Sequence, residues 1–337
     1  AVDAVSWRIL CSDLAAAWRE EDLPERGTSF RHWARLLERE AHAPERTAEL
    51  DAWHHALRDP GPLLGARRPD PQRDVVGEMR HLTRQLPAEA THALLTTVPA
   101  AFHAGPDDVL LAALTAAFVR WRRARDGHSA LLLDVERHGR EEIAEGVDLS
   151  RTVGWFTNVV PARLDLAEVD PADPAQVLKT VKEQLRSVPD HGLGYSLLRH
   201  LDPQNGPLLA SLPVPEIGFN YLGRTTPSTG GDWSLAPEPL RHLGAVHDPA
   251  MPVAHGLEIT AVTTEEGRLD TTWSWAPGIW SEDDVQALAD RWLAELTAQA
   301  EGGTGAVGGH TPSDLPLVSL SQAEIDELEA EFGNEWR

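Results

Sequence analysis

Cysteine is almost absent from this chain, and basic residues are heavily outnumbered. The single cysteine, Cys11, has no partner for an internal disulfide, and no cysteine cluster is available for a structural zinc site. A reducing, cytoplasmic setting is the expectation. Lys and Arg number 30 against 53 Asp and Glu, a formal charge of −23. Most of the surface therefore repels phosphate backbones and anionic lipid, which argues against nucleic acid and membrane as partners. No run approaches the apolar length of a membrane span, and the opening AVDAVSWRIL lacks the basic end and small-residue cleavage site of a signal peptide. What is present is a chain that should fold. Apolar residues make up 42% and fall in periodic runs, and 337 residues suffice for two lobes with their own cores.

Val5, Ile9, Leu10, Leu14 and Trp18 recur at helical spacing, which predicts an amphipathic helix over 5–19 after a short strand ending at Ala1-Val2. Cys11 falls inside that helix as a small packing residue. Further helices are expected over 28–41 and 46–57, divided at Ala43-Pro44. The proline-rich, aperiodic stretch 59–71 reads as a linker. It places a lobe boundary between residues 1–70, the remainder of an N-terminal lobe, and residues 71–337, a C-terminal lobe with a tail. The second lobe reads as α/β, with strands over 79–86, 94–98, 130–135, 216–221, 257–264 and 269–275. Helices are expected over 107–121 and 174–188, and another after a Ser281/Asp284 cap. A flexible link over 302–309 precedes a last short helix capped by Ser321 and Glu324.

Five blocks in fixed order carry more specific information. Ala1-Val2-Asp3-Ala4-Val5-Ser6-Trp7-Arg8-Ile9-Leu10 is followed by Asp134-Val135-Glu136-Arg137-His138-Gly139-Arg140-Glu141 and by Arg151-Thr152-Val153-Gly154-Trp155-Phe156-Thr157 with Pro161. Pro189 with Gly192-Leu193-Gly194-Tyr195, then Phe219-Asn220-Tyr221-Leu222-Gly223, complete the series, and Thr311-Pro312-Ser313-Asp314-Leu315-Pro316 closes the chain. This order resembles the epimerization domains of nonribosomal peptide synthetases, members of the condensation-domain superfamily. The first block matches the end of the family's His-His-x-x-x-Asp-Gly motif, so both histidines would precede Ala1, and residues 1–337 alone are expected not to epimerize.

The resemblance implies an α/β fold of two chloramphenicol-acetyltransferase-like lobes in a V, the N-terminal one incomplete, with a tunnel between them. It implies epimerization, L to D, of the Cα of an aminoacyl or peptidyl thioester on a peptidyl carrier protein. The phosphopantetheine arm belongs to that carrier, no metal or intrinsic cofactor is needed, and neighbouring synthetase domains are the other partners. A peptide-bond-forming condensation domain and a noncatalytic platform recruiting a tailoring enzyme are the alternatives.

Epimerization needs a proton to leave one face of Cα and another to arrive on the opposite face, so two opposed acid/base groups suffice. Glu136 stands where the family has its catalytic glutamate, after an apolar strand whose end opens to a crevice. Tyr221 and Asn220 carry polar tips in an apolar strand and are candidates to donate to the enolate oxygen. Trp155 and Phe156 either line the tunnel or pack in a core. His138 is expected to orient its loop by hydrogen bonding, and Asp3 to pair with Arg140 or Arg151. Arg122, Arg123 and Arg125 form either a basic patch for the carrier's phosphate or a solvated helix end. His54-His55-Ala56-Leu57-Arg58-Asp59 imitates the missing motif, but it closes a helix, and Pro60 follows in place of glycine. Two family glycines are replaced. Ala4 would matter at positive φ, and Arg137, beside Glu136, is expected to favour its ionised form or obstruct the tunnel.

Overall fold

The computed structural model describes residues 2–141, 143–224, 248–305 and 308–332. Its N-terminal part is helical. Asp3 caps α1 (Ala4–Trp18), its carboxylate accepting from Ser6 N at 2.7 Å, and Ser29 caps α2 (Phe30–Glu40). Where one helix is expected over 46–57 there are two, α3 (Pro44–Thr47) and α4 (Leu50–Leu57). The break falls at Glu49, whose side chain accepts from Arg46 behind it and from Trp53 Nε1 ahead. No strand precedes α1 among the described residues, and Ala1 lies outside them. The expected apolar face of α1 is only partly covered: Ile9 is buried, whereas Leu14 and Trp18 are 60% and 77% exposed. Cys11 is exposed as well, so it is not a packing residue.

The remaining chain builds one sheet. Its strands are β1 (Arg80–Leu86), β2 (Ala130–Arg137), β3 (Asn158–Asp165), β4 (Ile217–Arg224), β5 (Leu257–Thr263) and β6 (Leu269–Trp275). They lie in the order β1-β6-β5-β4-β2-β3, with β2/β4 and β4/β5 parallel and the other pairs antiparallel. β5 and β6 alternate strictly between buried and half-buried residues, the pattern of a sheet covered on one face. β3 carries Pro161, which hides it from a strand pattern; as an edge strand it tolerates a residue that cannot donate to a ladder.

Between β1 and β2 the expected strand over 94–98 is helical instead. α5 (Ala88–His92) passes through a π turn, Ala93–Thr97, into α6 (Val98–Phe102). Thr96, Thr97 and Val98 favour a strand locally, yet Leu94 and Val98 are buried one helical turn apart, and Thr96 Oγ1 donates to the His92 carbonyl. α7 (Pro106–Arg123) is buried along most of its length and packs with α8 (Pro174–Arg186) and α11 (Glu282–Gly305) on one face of the sheet. Leu131, Leu133 and Val135, Ile217 and Phe219, and Ile259 and Ala261 point into that layer. α9 (Leu193–His200) and α10 (Gly206–Ser211) close the β3 end.

α11 continues through Gly305, into the expected link; residues 306–307 of that link lie outside the described ones. Beyond it the tail is anchored. Buried Lys182 donates to both Asp314 oxygens at 2.7 and 2.6 Å and to the Phe102 carbonyl at 2.8 Å. α12 (Gln322–Phe332) meets α8 through Lys179 and Asp326, 2.7 Å apart, after the expected Ser321/Glu324 cap.

Candidate active site

The five blocks meet around β2 and β3. Arg140 follows β2 through a turn at Gly139, where φ is +64° and a Cβ would collide with the Phe156 carbonyl. Its guanidinium donates to Asp3 Oδ1 at 3.0 Å, Ser6 Oγ at 3.1 Å and the carbonyls of Leu149 and Thr152 at 2.8 Å each, and it covers the Phe156 ring. Asp3 also accepts from Phe156 N, while Ser6 Oγ, fully buried, donates to the Gly154 carbonyl at 2.8 Å. Burial would raise the Asp3 carboxyl; the hydrogen bonds from Ser6 and the Arg140 charge outweigh it and hold the group below its ordinary value. Arg140 is thus the partner of Asp3, and Arg151 pairs with Asp13. The fourth block joins through Asn158 of β3, whose amide donates to the Gly192 carbonyl at 3.3 Å and whose oxygen accepts from Ser196.

Glu136 and Asn220 come together. Parallel pairing of Asp134 with Gly218 brings the carboxyl ends of β2 and β4 to one rim, and Asn220 Nδ2 donates to Glu136 Oε2 at 2.6 Å. Glu136 is an exposed residue at that rim. Desolvation and then the charge of Glu258 push it above the ordinary carboxylate value, with His255 and Asn220 opposing. That direction suits a group that must both accept and return a proton.

Tyr221 does not join them. Successive residues of a strand point to opposite faces, and Tyr221 packs against the helix-side core with its hydroxyl 2.9 Å from Thr263 Oγ1. The same alternation removes Arg137 from Glu136: its guanidinium faces Asp107 at the start of α7, 3.9 Å away. The expectation that Arg137 favours the ionised form of Glu136 is therefore corrected: the groups acting on Glu136 are Glu258, His255 and Asn220. Ala4 is the exposed first residue of α1 and has no positive φ, so the conformational ground for a glycine there is absent.

His138 is exposed, and its Nδ1 accepts from Arg140 N at 3.0 Å, a contact within the loop. Trp155 is 57% exposed; Phe156 is buried among Trp33, Leu36, Val147 and Leu149. His54 and His55 sit exposed on α4. Of Arg122, Arg123 and Arg125, only Arg122 is buried; Arg123 and Arg125 are exposed at the end of α7 and tied to neighbouring groups. Arg122 is buried on Asp126 and the Ala130 carbonyl, Arg123 reaches the Leu166 carbonyl, and Arg125 holds Asp284 across Trp121.

Three charged neighbours had no signal as site residues. His255 Nε2 lies 2.8 Å from Asp134 Oδ2, and its Nδ1 lies 3.8 Å from Glu258 Oε1. Burial opposes charge on the ring, but the two carboxylates prevail and its pKa is pushed up to about 9. Its ordinary value is 6.5, so stability from the charged ring is complete below that pH and is lost as pH rises through about 9. Urea unfolding should show a decline on the order of 2–3 kcal/mol across this window, and Asp134→Asn should remove most of it. A flat profile would mean an uncharged ring. Among the described residues no cluster of His, Cys, Asp and Glu forms a metal site.

Residues 1–309 match the Condensation domain family. The chain belongs to the condensation-domain superfamily. Among curated relatives, it is 36% identical over 335 residues to a linear gramicidin synthase of Brevibacillus parabrevis, covering 96% of this chain and 6% of that protein. It is 30% identical to tyrocidine synthase 1 of the same organism, covering 97% of this chain and 31% of that one. The chain thus spans a small part of these relatives' length. The epimerization domain from the third module of tyrocidine synthetase B superposes with a TM-score of 0.78 at 30% identity, over 90% of this chain and 68% of that one. The cyclization-docking bidomain EpoB of Sorangium cellulosum shares the fold, with a TM-score of 0.62 at 21% identity over 89% of this chain and 58% of that one. The mixed sheet under its helix layer is accordingly the chloramphenicol-acetyltransferase-like fold of condensation-superfamily domains. No helix among the described residues is long and apolar enough to cross a membrane.

Proposed function

We propose that this condensation-superfamily domain epimerizes the Cα of an aminoacyl or peptidyl thioester delivered by a carrier protein, with residues 1–70 contributing to one lobe and 71–337 forming the other. The observation that carries the proposal is the Glu136–Asn220 pair at the open rim of the sheet. Its carboxyl is held above the ordinary value. Glu136 takes the Cα proton or returns it, and Asn220 fixes the carboxyl oxygen that it bonds. A proton then reaches the opposite face of Cα from a second group, which the family resemblance assigns to the histidine pair preceding Ala1. The thioester and its phosphopantetheine arm come with the carrier, and neighbouring synthetase domains supply and accept the chain. The similarity to an epimerization domain supports this reading, as does the placing of Arg137 beside Asp107 rather than Glu136.

The test is deuterium wash-in at Cα of a carrier-bound aminoacyl or peptidyl thioester, using the full-length protein in D2O. Deuterium incorporation with appearance of both configurations is expected. Amide-bond formation between two loaded carriers without wash-in would assign condensation instead, and neither outcome would favour the platform.

A further inference from the structure

The sheet face that carries Glu136 also holds a histidine with a seat built for it. His255, in the loop before β5, lays its ring over Gly218 of β4, where a Cβ would stand 2.7 Å from the ring Nδ1. From that seat the ring crosses β4 entirely, reaching Asp134 of β2 on one side and Glu258 of β5 on the other. Asp134 is level with Gly218, and Gly218 is level with Glu258, so the bridge ties three strands at one height. Two residues further along β2 and β4, on the same face, stand Glu136 and Asn220.

We propose that His255, held between Asp134 and Glu258 over Gly218, is a positioning residue for Glu136: it fixes the three-strand floor beneath the Glu136–Asn220 pair and balances Glu258 beside it. The inference deepens the epimerization reading and rests on it. The charged and titratable groups involved are few. Glu136 faces Glu258 of β5 and His255, with the Asn220 amide from β4. His255 itself meets Asp134 and Glu258, and Tyr195 of α9, paired with Arg199, stands near Asp134. A ring charge offsets Glu258 in the field felt by Glu136. Without it Glu258 and Asp134 go unbalanced, Glu136 binds its proton more tightly, and less of it is ionised at neutral pH.

Two variants of the full-length protein test this. His255→Gln removes the ionisable ring, and Gly218→Ala keeps the ring but displaces it from its seat between the carboxylates. The first measurement follows hydrogen–deuterium exchange at the His255 C2 position by mass spectrometry across pH, which needs no turnover. The parent ring should titrate well above 6.5, and Gly218→Ala should return it toward that ordinary value. An ordinary midpoint in the parent would overturn the bridge. The second measurement is the pH profile of Cα wash-in. In both variants the acid limb should move up by about one pH unit, with roughly tenfold less exchange on that limb. A uniform loss at every pH, with the limb unmoved, would reduce His255 to a structural residue and overturn the proposal. Absence of wash-in in the parent would instead defeat the epimerization reading and with it the positioning role, while the ring titration would still report whether the bridge exists.

Discussion

Replacing Glu136 by glutamine is expected to lower Cα proton exchange by about 10²- to 10⁴-fold, the usual contribution of a general acid/base group. The amide has nearly the shape of the carboxylate but neither accepts nor returns a proton at neutral pH. It can still bond the Asn220 side chain, through its oxygen, and the residue is exposed, so no buried charge partner is orphaned. Fold and carrier binding should therefore be retained, which unfolding and a carrier-binding measurement would verify. The loss should fall on the exchange rate itself, read as deuterium wash-in. Exchange at the parental rate would remove Glu136 from the chemistry.

Arg140→Ala has the largest expected effect on stability, a loss of about 3–5 kcal/mol, because removing one partner of a buried pair strands the other. Side chains of Arg140 and Asp3 are each 9% exposed. The truncation takes the guanidinium donors away from the Asp3 carboxylate, the Ser6 hydroxyl and the Leu149 and Thr152 carbonyls, leaves the Asp3 charge without its counter-ion, and uncovers the Phe156 ring. Arg140→Lys should recover little, since one ammonium cannot serve acceptors arranged around a planar fork. Urea unfolding measures both. A loss below about 1 kcal/mol would place the pair among weak surface ion pairs.

Much of this arrangement was legible in the sequence, and the exceptions share physical causes. Strict alternation announced β5 and β6, and an apolar run announced β2, because burial on one or two faces leaves those patterns. The block order brought Glu136 forward on family resemblance. The choice between Asn220 and Tyr221 was beyond reach, since adjacent strand residues face opposite ways and only register tells which face Glu136 shares. Arg137 misleads for the same reason: a neighbour in sequence is a stranger in space. Arg140 and Arg151 are equally plausible partners for Asp3 until the turn at Gly139 sets the direction of the chain. The helical path over 93–102 was hidden because β-branched residues there speak for a strand while the burial of Leu94 and Val98 decides otherwise. His255 left no mark at all. Its role comes from a gap above Gly218 and from carboxylates on two other strands, none of which sequence spacing joins.

The one-residue step that parts Asn220 from Tyr221 and Glu136 from Arg137 has a bearing on how such a domain diverges. Along β2 and β4, even-numbered positions from 134 to 136 and from 218 to 220 meet the open face, and the odd-numbered ones between and beside them serve the helix layer. Heredity can therefore revise the open face and the core packing as two separate texts written on alternate letters of the same strand. A change in one need not be answered by a change in the other, which allows an arginine to stand beside Glu136 and leave that glutamate's surroundings intact.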